Sequence, residues 1–72
     1  MGITKILVTG SAGLVGTQIV KDLLDNQVQV YSCYNQTKPE LGIITHLDLT
    51  KKDDIVNTMS RIKPNVVIHL GA

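Results

Sequence analysis

Three glycines spaced three residues apart, Gly10, Gly13 and Gly16, follow the first apolar run of the sequence. That run, residues 3–9, predicts a strand buried on both faces, and the residues after the glycines predict an amphipathic helix. The first N–H groups of a helix have no partner inside the helix, so they can bind the oxygens of a phosphate. The sequence therefore predicts an anion-binding turn between a strand and a helix.

Each glycine of this turn has its own predicted task. Gly10 lets the chain turn sharply off the strand, Gly13 lets the backbone approach phosphates, and Gly16 lets the helix pack closely. The spacing is a variant of G-x-G-x-x-G, so the interpretation also depends on the flanking strand and helix. We predict that the pyrophosphate of NAD or NADP is bound by Gly10, Ser11, Ala12, Gly13, Leu14, Val15 and Gly16.

Two other chemistries for this turn do not fit the residues. A P-loop needs Lys-Ser or Lys-Thr after the last glycine, and this sequence has Thr17-Gln18. A serine nucleophile elbow needs G-x-S-x-G, a pattern that Ser11 does not complete. The remaining alternative is that the glycines serve only a tight turn.

The elements that must position the turn follow from hydrophobic periodicity. Strands are predicted for residues 3–9, 28–34, 43–47 and 66–70. Residues 14–25 predict a helix that ends at Asn26-Gln27, where Asn is a residue that tolerates left-handed backbone. A second helix is predicted from Thr50, as its N-cap, to the break at Lys63-Pro64. The predicted inward faces are Val15, Ile19, Val20, Leu23 and Leu24 in the first helix, and Ile55, Val56, Met59 and Ile62 in the second.

The order β-α-β-β-α-β predicts an α/β fold with a parallel sheet in the order 3-2-1-4 and a helix on each face, a partial Rossmann fold. The loop 35–42 is short for a parallel crossover, which usually needs about a dozen residues. The last strand, residues 66–70, is apolar enough for a central position, so without a further neighbour it would leave an open apolar edge.

Composition narrows the class of protein. The chain has 72 residues, enough for one domain, and a formal net charge of +1, which argues against nucleic acid or an anionic membrane as partner. It has one cysteine and no apolar run long enough to span a membrane, so we expect a cytoplasmic protein. Cys33 is predicted to be a small core residue. His46 and His69 have no partners at the spacing of metal ligands, so no metal site is predicted.

Several stretches together resemble the extended short-chain dehydrogenases/reductases. The motif Thr9-Gly10-x-x-Gly13-x-x-Gly16 is similar to their fingerprint. Tyr34-Asn35, Leu47-Asp48-Leu49-Thr50 and the segment 63–72 resemble the branch that holds the dTDP-4-dehydrorhamnose reductases and the regulatory beta subunit of methionine adenosyltransferase. The resemblance implies that Asp48 and Leu49 lie beside the adenine, with the Asp48 carboxylate accepting from its exocyclic amine. It also implies that Gly71 and Ala72 line the path toward the nicotinamide ribose.

The choice between NAD and NADP is predicted from the end of the second strand. An NAD-binding protein usually has Asp or Glu there, about 20 residues past the glycines, to hold the ribose 2′-hydroxyl. This sequence has Ser32-Cys33-Tyr34-Asn35, without an acid, so we predict NADP and leave NAD open. Lys38, with Asn35 and Thr37, is the predicted contact to the 2′-phosphate.

The resemblance implies a tyrosine and a lysine at Y-x-x-x-K for catalysis. Tyr34 and Lys38 match by spacing alone, but they fall at a strand end rather than on a later helix, so no catalytic residue is predicted. We expect residues 1–72 to be the N-terminal part of an NAD(P)-binding domain and to be inactive alone. The parent would reduce a keto-sugar nucleotide with NADPH. The alternatives are a non-catalytic NADP-binding regulatory subunit, an NAD-dependent sugar-nucleotide epimerase or dehydratase, and a free-standing mini-domain; a homo-oligomer is left open.

Overall fold

The computed structural model describes residues 2–70, which form one parallel sheet with two helices. The strands are β1 (Lys5–Thr9), β2 (Gln29–Tyr34), β3 (Ile43–His46) and β4 (Val66–His69). Helix α1 (Leu14–Leu24) joins β1 to β2, and helix α2 (Lys52–Ile62) joins β3 to β4. All three strand pairs are parallel and the sheet order is β3-β2-β1-β4, so the predicted fold class and strand order are confirmed.

The core has two parts, one on each face of the sheet. Successive residues of a strand point to opposite faces, so Ile6 and Val8 of β1 pack on one face and Leu7 on the other. The first group contacts Val20 of α1, and Leu7 shares its cluster with Ile62 of α2. The two helices therefore cover opposite faces, as right-handed crossovers in opposite directions require.

Three residues of the predicted inward helix faces are exposed instead. Val15 is 67% exposed and Leu24 is 39% exposed, because both lie in the terminal turns of α1, while Gly16 and Val20 are its buried residues. In α2, Val56 is 51% exposed. The buried stripe of α2 passes instead through Thr58, which lies three residues after Ile55 and four before Ile62.

The helix ends also correct two predictions. Helix α2 begins one residue later than predicted: its N-cap is Lys51, without a side-chain cap, and the hydroxyl of Thr50 donates to Asp48. After α1, the left-handed residue is Gln27, with φ of 59°, rather than Asn26. The Asn26 side chain is used differently, since its Nδ2 donates to the carbonyl of Asp22 at 2.8 Å.

The eight-residue connection from β2 to β3 joins parallel strands despite its length. Ser32 of β2 is fully buried, and its Oγ donates to the carbonyl of Leu41 at 2.6 Å. Gly42 then enters β3 with φ of 84°, a left-handed conformation that favours glycine, and a Cβ at Gly42 would press on Ser32. The contacts of Leu41 and Gly42 with Ser32 hold the connection against β2, so the chain reaches β3 without an intervening helix.

Strand β4 forms one edge of the sheet formed by the described residues. Val66 and Val67 are 45% and 48% exposed there. Neither helix found between residues 2 and 70 has the length and apolarity that a membrane crossing would need.

Replacing Ser32 by alanine tests the short crossover. The change leaves the Leu41 carbonyl without its donor, so we expect Ser32→Ala to lower the free energy of unfolding by about 1–3 kcal/mol. Ser60→Ala, on the exposed side of α2, is the matched control and should change stability by less than about 0.5 kcal/mol. Urea unfolding of the full-length protein makes the measurement, and equal stability of the two variants would contradict this account.

Candidate functional site

The glycine turn has the close backbone contacts that its sequence predicts. Gly10 has φ of 67°, and a Cβ there would overlap the carbonyl of Leu70 at the end of β4. Gly16 is the third residue of α1 and is buried, and a Cβ there would overlap the carbonyl of Gly10 and the backbone of Ser11. Gly16 thus packs against the turn's own backbone, a more local contact than the predicted packing on the sheet.

The N-terminus of α1 presents unpaired donors. Gly13 is its N-cap, with extended backbone and no side-chain cap, and the first helical hydrogen bond runs from the Thr17 N–H to the Gly13 carbonyl at 2.8 Å. The N–H groups of Leu14, Val15 and Gly16 precede that bond. A Cβ on Gly13 would meet no atom within 4 Å, so the space beside this helix end is open.

The turn forms one wall of a cleft of about 380 Å³ at the carboxyl ends of the strands. In an open parallel sheet, this edge, at the point where the strand order reverses, is where ligands bind. The structure brings together residues from the glycine turn, the carboxyl ends of β1, β2 and β4, and the loops after β2 and β3. The lining residues are Thr9, Gly10, Ser11, Ala12, Gly13, Cys33, Tyr34, Asn35, Thr37, Leu47, Asp48, Leu49, Thr50, His69 and Leu70.

Most of the residues predicted for the site lie in this cleft, but some do not. Asn35, Asp48 and Leu49 line it together with residues 10–13. Lys38 is exposed and lies outside the lining, because the chain turns away after Thr37 toward the buried Pro39. Leu14, Val15 and Gly16 also lie outside the lining, at the start of α1 next to Gly13. Gly71 and Ala72 lie outside the described residues.

Ser11 has a structural partner rather than a free hydroxyl. Its side chain is 2% exposed, and its Oγ donates to the carbonyl of Cys33 at 3.1 Å. This bond ties the turn after β1 to the end of β2. We therefore assign the Ser11 side chain to holding the turn in place.

Asp48 is held in the loop after β3 by a set of short hydrogen bonds. Its Oδ1 accepts from the Thr50 hydroxyl at 2.6 Å and from the Thr50 N–H at 2.9 Å. These bonds, with smaller contributions from the charges of Lys51 and His46, place the pKa of the Asp48 carboxyl below its ordinary value. Asp48 is therefore an ionised hydrogen-bond acceptor at neutral pH.

Two polar contacts at the cleft were not predicted from the sequence. The Thr9 hydroxyl and Nδ1 of His69 are 2.6 Å apart and join the ends of β1 and β4. The rings of Tyr34 and His46 meet edge to face, with centroids 5.3 Å apart, and join the ends of β2 and β3. Strand register places these pairs opposite one another, and register is not visible in a single strand's sequence.

The Cys33 thiol, which lines the cleft, is held in its neutral form. Burial raises the pKa of the Cys33 thiol to about 11, against a weaker lowering by the charge of Arg61, so the thiol is protonated at neutral pH. Among residues 2–70, no group of three or more His, Cys, Asp and Glu side chains is arranged to hold a metal ion. What the cleft offers is backbone donors at one end and a carboxylate at the other.

The variant Gly16→Ala tests the packing of α1 on its own turn. The added Cβ must displace backbone atoms of Gly10 and Ser11, so we expect a net loss of stability of about 1–3 kcal/mol despite alanine's better helix propensity. Gly2→Ala is the control, since a Cβ there meets nothing within 4 Å. Thermal unfolding of the full-length protein measures the stability of both variants. A Gly16→Ala protein as stable as the Gly2→Ala control would contradict the close packing of α1 on the glycine turn.

The known proteins with similar sequences are much longer than this chain, and the match covers only a small part of each of them. Methionine adenosyltransferase 2 subunit beta from Danio rerio is 28% identical over 69 residues, which make up 94% of this chain and 20% of that protein. The same subunit from Xenopus tropicalis is 29% identical over 69 residues, with the same coverage. The chain thus spans about a fifth of the length of the curated relatives it matches.

This chain has the same fold as part of a solved structure, and its sequence matches the pattern of a protein family. A crystal structure of a candidate epimerase from Burkholderia cenocepacia J2315 superposes with a TM-score of 0.78 at 22% identity, over 96% of this chain and 25% of that one, which supports the fold alone. The pattern of the NAD dependent epimerase/dehydratase family matches residues 6–72, nearly the whole chain. The chain therefore belongs to the NAD dependent epimerase/dehydratase family.

Proposed function

We propose that this chain binds the pyrophosphate of a nicotinamide dinucleotide at the N-terminus of α1, with the adenine toward Asp48 and Leu49. Membership of the family implies a dinucleotide of this kind as cofactor. The observation that carries the proposal is the set of unpaired N–H groups beside the open side of Gly13, at one end of a cleft that continues to Asp48.

The residues of the cleft fit such a ligand. Backbone N–H groups and the helix dipole favour the negative charge of a pyrophosphate, by about 0.3–1 kcal/mol for each charge near the helix end. The open space at Gly13 lets an anion approach the backbone, which a side chain would prevent. At the opposite end, Leu49 offers apolar surface and Asp48 an acceptor, and these suit the face and the amine of an adenine.

When bound, the nicotinamide ring would supply hydride transfer, and the residues described here would bind and orient the cofactor. The groups of this chain that line the cleft would hold the pyrophosphate and the adenosine. Because this chain spans about a fifth of the length of the curated relatives it matches, we propose that it is the cofactor-binding part of a longer domain.

We further propose that the cofactor is NADP rather than NAD. The end of β2 has no carboxylate that would hold a ribose 2′-hydroxyl or repel a 2′-phosphate, and Asn35 and Thr37 line the cleft there. Because Lys38 lies outside the lining, we assign the contacts to the 2′-phosphate to Asn35 and Thr37.

For the whole protein, two functions are proposed. The first is the reduction of a keto-sugar nucleotide with NADPH, which rests on the resemblance of the motifs. The second is a regulatory subunit that binds NADP without turnover, and it is favoured by the names of the matched relatives, which are methionine adenosyltransferase subunits. Turnover of NADPH by the full-length protein with a dTDP-keto-sugar would support the first; saturable NADP binding without turnover would support the second.

Gly13→Ala separates binding from folding. The alanine Cβ meets no protein atom, and backbone φ of −75° suits alanine, so the fold should lose at most about 1 kcal/mol. The same Cβ enters the space of the pyrophosphate and should cost at least one charge-assisted hydrogen bond, which weakens dinucleotide binding about tenfold or more. Calorimetric titration of the full-length protein with NADP makes the measurement, with Gly2→Ala as the control; unchanged affinity would remove the basis of the proposal.

The preference for NADP is tested by adding a charge at the end of β2. We expect the full-length protein to bind NADP about tenfold more tightly than NAD, and Asn35→Asp to reverse that order, because the carboxylate repels a 2′-phosphate and accepts from a 2′-hydroxyl. Gln36→Glu adds the same charge one residue later, on an exposed side chain outside the cleft, and should leave the order unchanged. Tighter binding of NAD by the unchanged protein would overturn the assignment.

A further inference from the structure

The loop after β3 fixes Asp48 from three directions. The Asp48 N–H donates to Oδ2 of Asp54 in the first turn of α2 at 2.7 Å, and the Asp48 carbonyl accepts from the Lys51 N–H at 3.1 Å. Its side chain is held by Thr50, as described above. Backbone and carboxylate of Asp48 are therefore both restrained before any ligand arrives.

The two donors of Thr50 act on the same oxygen. The hydroxyl and the N–H of Thr50 both reach Oδ1 of Asp48, while Oδ2 accepts no hydrogen bond from residues 2–70. Asp48 lines both the cleft and a second pocket beside the start of α2, and we take the unpartnered Oδ2 as the oxygen that a ligand in the cleft would reach. An ionised carboxylate oxygen only accepts, so it pairs with an N–H donor and is repelled by a carbonyl.

We infer that Thr50 is a positioning residue that orients the Asp48 side chain so that the cleft selects adenine over hypoxanthine. The inference rests on the proposed function, because it places the base of the dinucleotide at Asp48. Adenine offers an exocyclic amine at the position where hypoxanthine has a carbonyl oxygen. With Oδ1 occupied by Thr50, the free Oδ2 would accept a hydrogen bond from the amine of adenine. With hypoxanthine, Oδ2 would face the carbonyl oxygen, and no proton would lie between these two acceptors.

The way in which Thr50 orients the Asp48 side chain predicts the ligand preference of the variant Asp48→Asn. The donors of Thr50 would hold the oxygen of the new amide, so its NH₂ group would take the place of Oδ2 and present a donor to the ligand. The preference should then reverse toward hypoxanthine. An amide without this restraint would rotate to suit either base and would show no preference, so the sign of the preference reports the action of Thr50.

The experiment is calorimetric titration of the full-length protein with NADP and with its hypoxanthine analogue. The unchanged protein should bind NADP about tenfold more tightly, and Asp48→Asn should favour the analogue. Asp48→Asn combined with Thr50→Val loses the hydroxyl donor and keeps the Thr50 N–H, so its reversed preference should be weaker. Asp48→Asn combined with Thr50→Ser keeps a hydroxyl and should restore the reversed preference. A purely structural role of Thr50 would weaken both ligands equally and leave the ratio unchanged.

The outcomes separate this inference from the proposed function. Binding of both dinucleotides with equal affinity by the unchanged protein overturns the inference and leaves the proposed function in place. An Asp48→Asn protein without a reversed preference also overturns it, and this isosteric single variant decides the matter even if Thr50→Val does not fold. Absence of binding for both dinucleotides overturns the proposed function and the inference with it.

Discussion

The close contact between the start of α1 and the backbone of the turn before it determines the rest of the site. Gly16 lies directly against Gly10 and Ser11, and this contact brings the helix end up to the carboxyl edge of β1. The same turn is bounded on its other side by the carbonyl of Leu70 after β4. Unpaired N–H groups thus come to lie where β1 and β4 meet, at the reversal of strand order that opens the cleft.

The parts of the fold that local pattern determines could be predicted from the sequence. The glycine spacing, the continuous apolar run of β1 and the periodicity of both helices indicate the element order, and right-handed crossovers then give the strand order. The exposure of Val15 and Leu24 could not be obtained this way, because it depends on where α1 begins and ends relative to the sheet. The exposure of Val56 depends on which side of α2 faces the sheet, and the buried stripe runs through Thr58 instead. The true N-cap of α2 was missed because the Thr50 hydroxyl is used by Asp48 instead.

The site divides in the same way. The backbone part is visible in the sequence, since Gly10 is required by its left-handed backbone and Gly16 by close contact, while Gly13 leaves open space beside the helix end. The side-chain part depends on register and loop geometry, which bring His69 to Thr9, His46 to Tyr34 and Thr50 to Asp48. Lys38 illustrates the limit: a lysine near the correct sequence position lies outside the cleft because the loop turns at the residue before it.

A crystal structure of the full-length protein with NADP bound tests the central claim most directly. The account predicts pyrophosphate oxygens within hydrogen-bond distance, about 2.7–3.2 Å, of the N–H groups of Leu14 and Val15, with the phosphate against the open side of Gly13. A pyrophosphate bound away from the N-terminus of α1 would contradict it, whatever the position of the adenine.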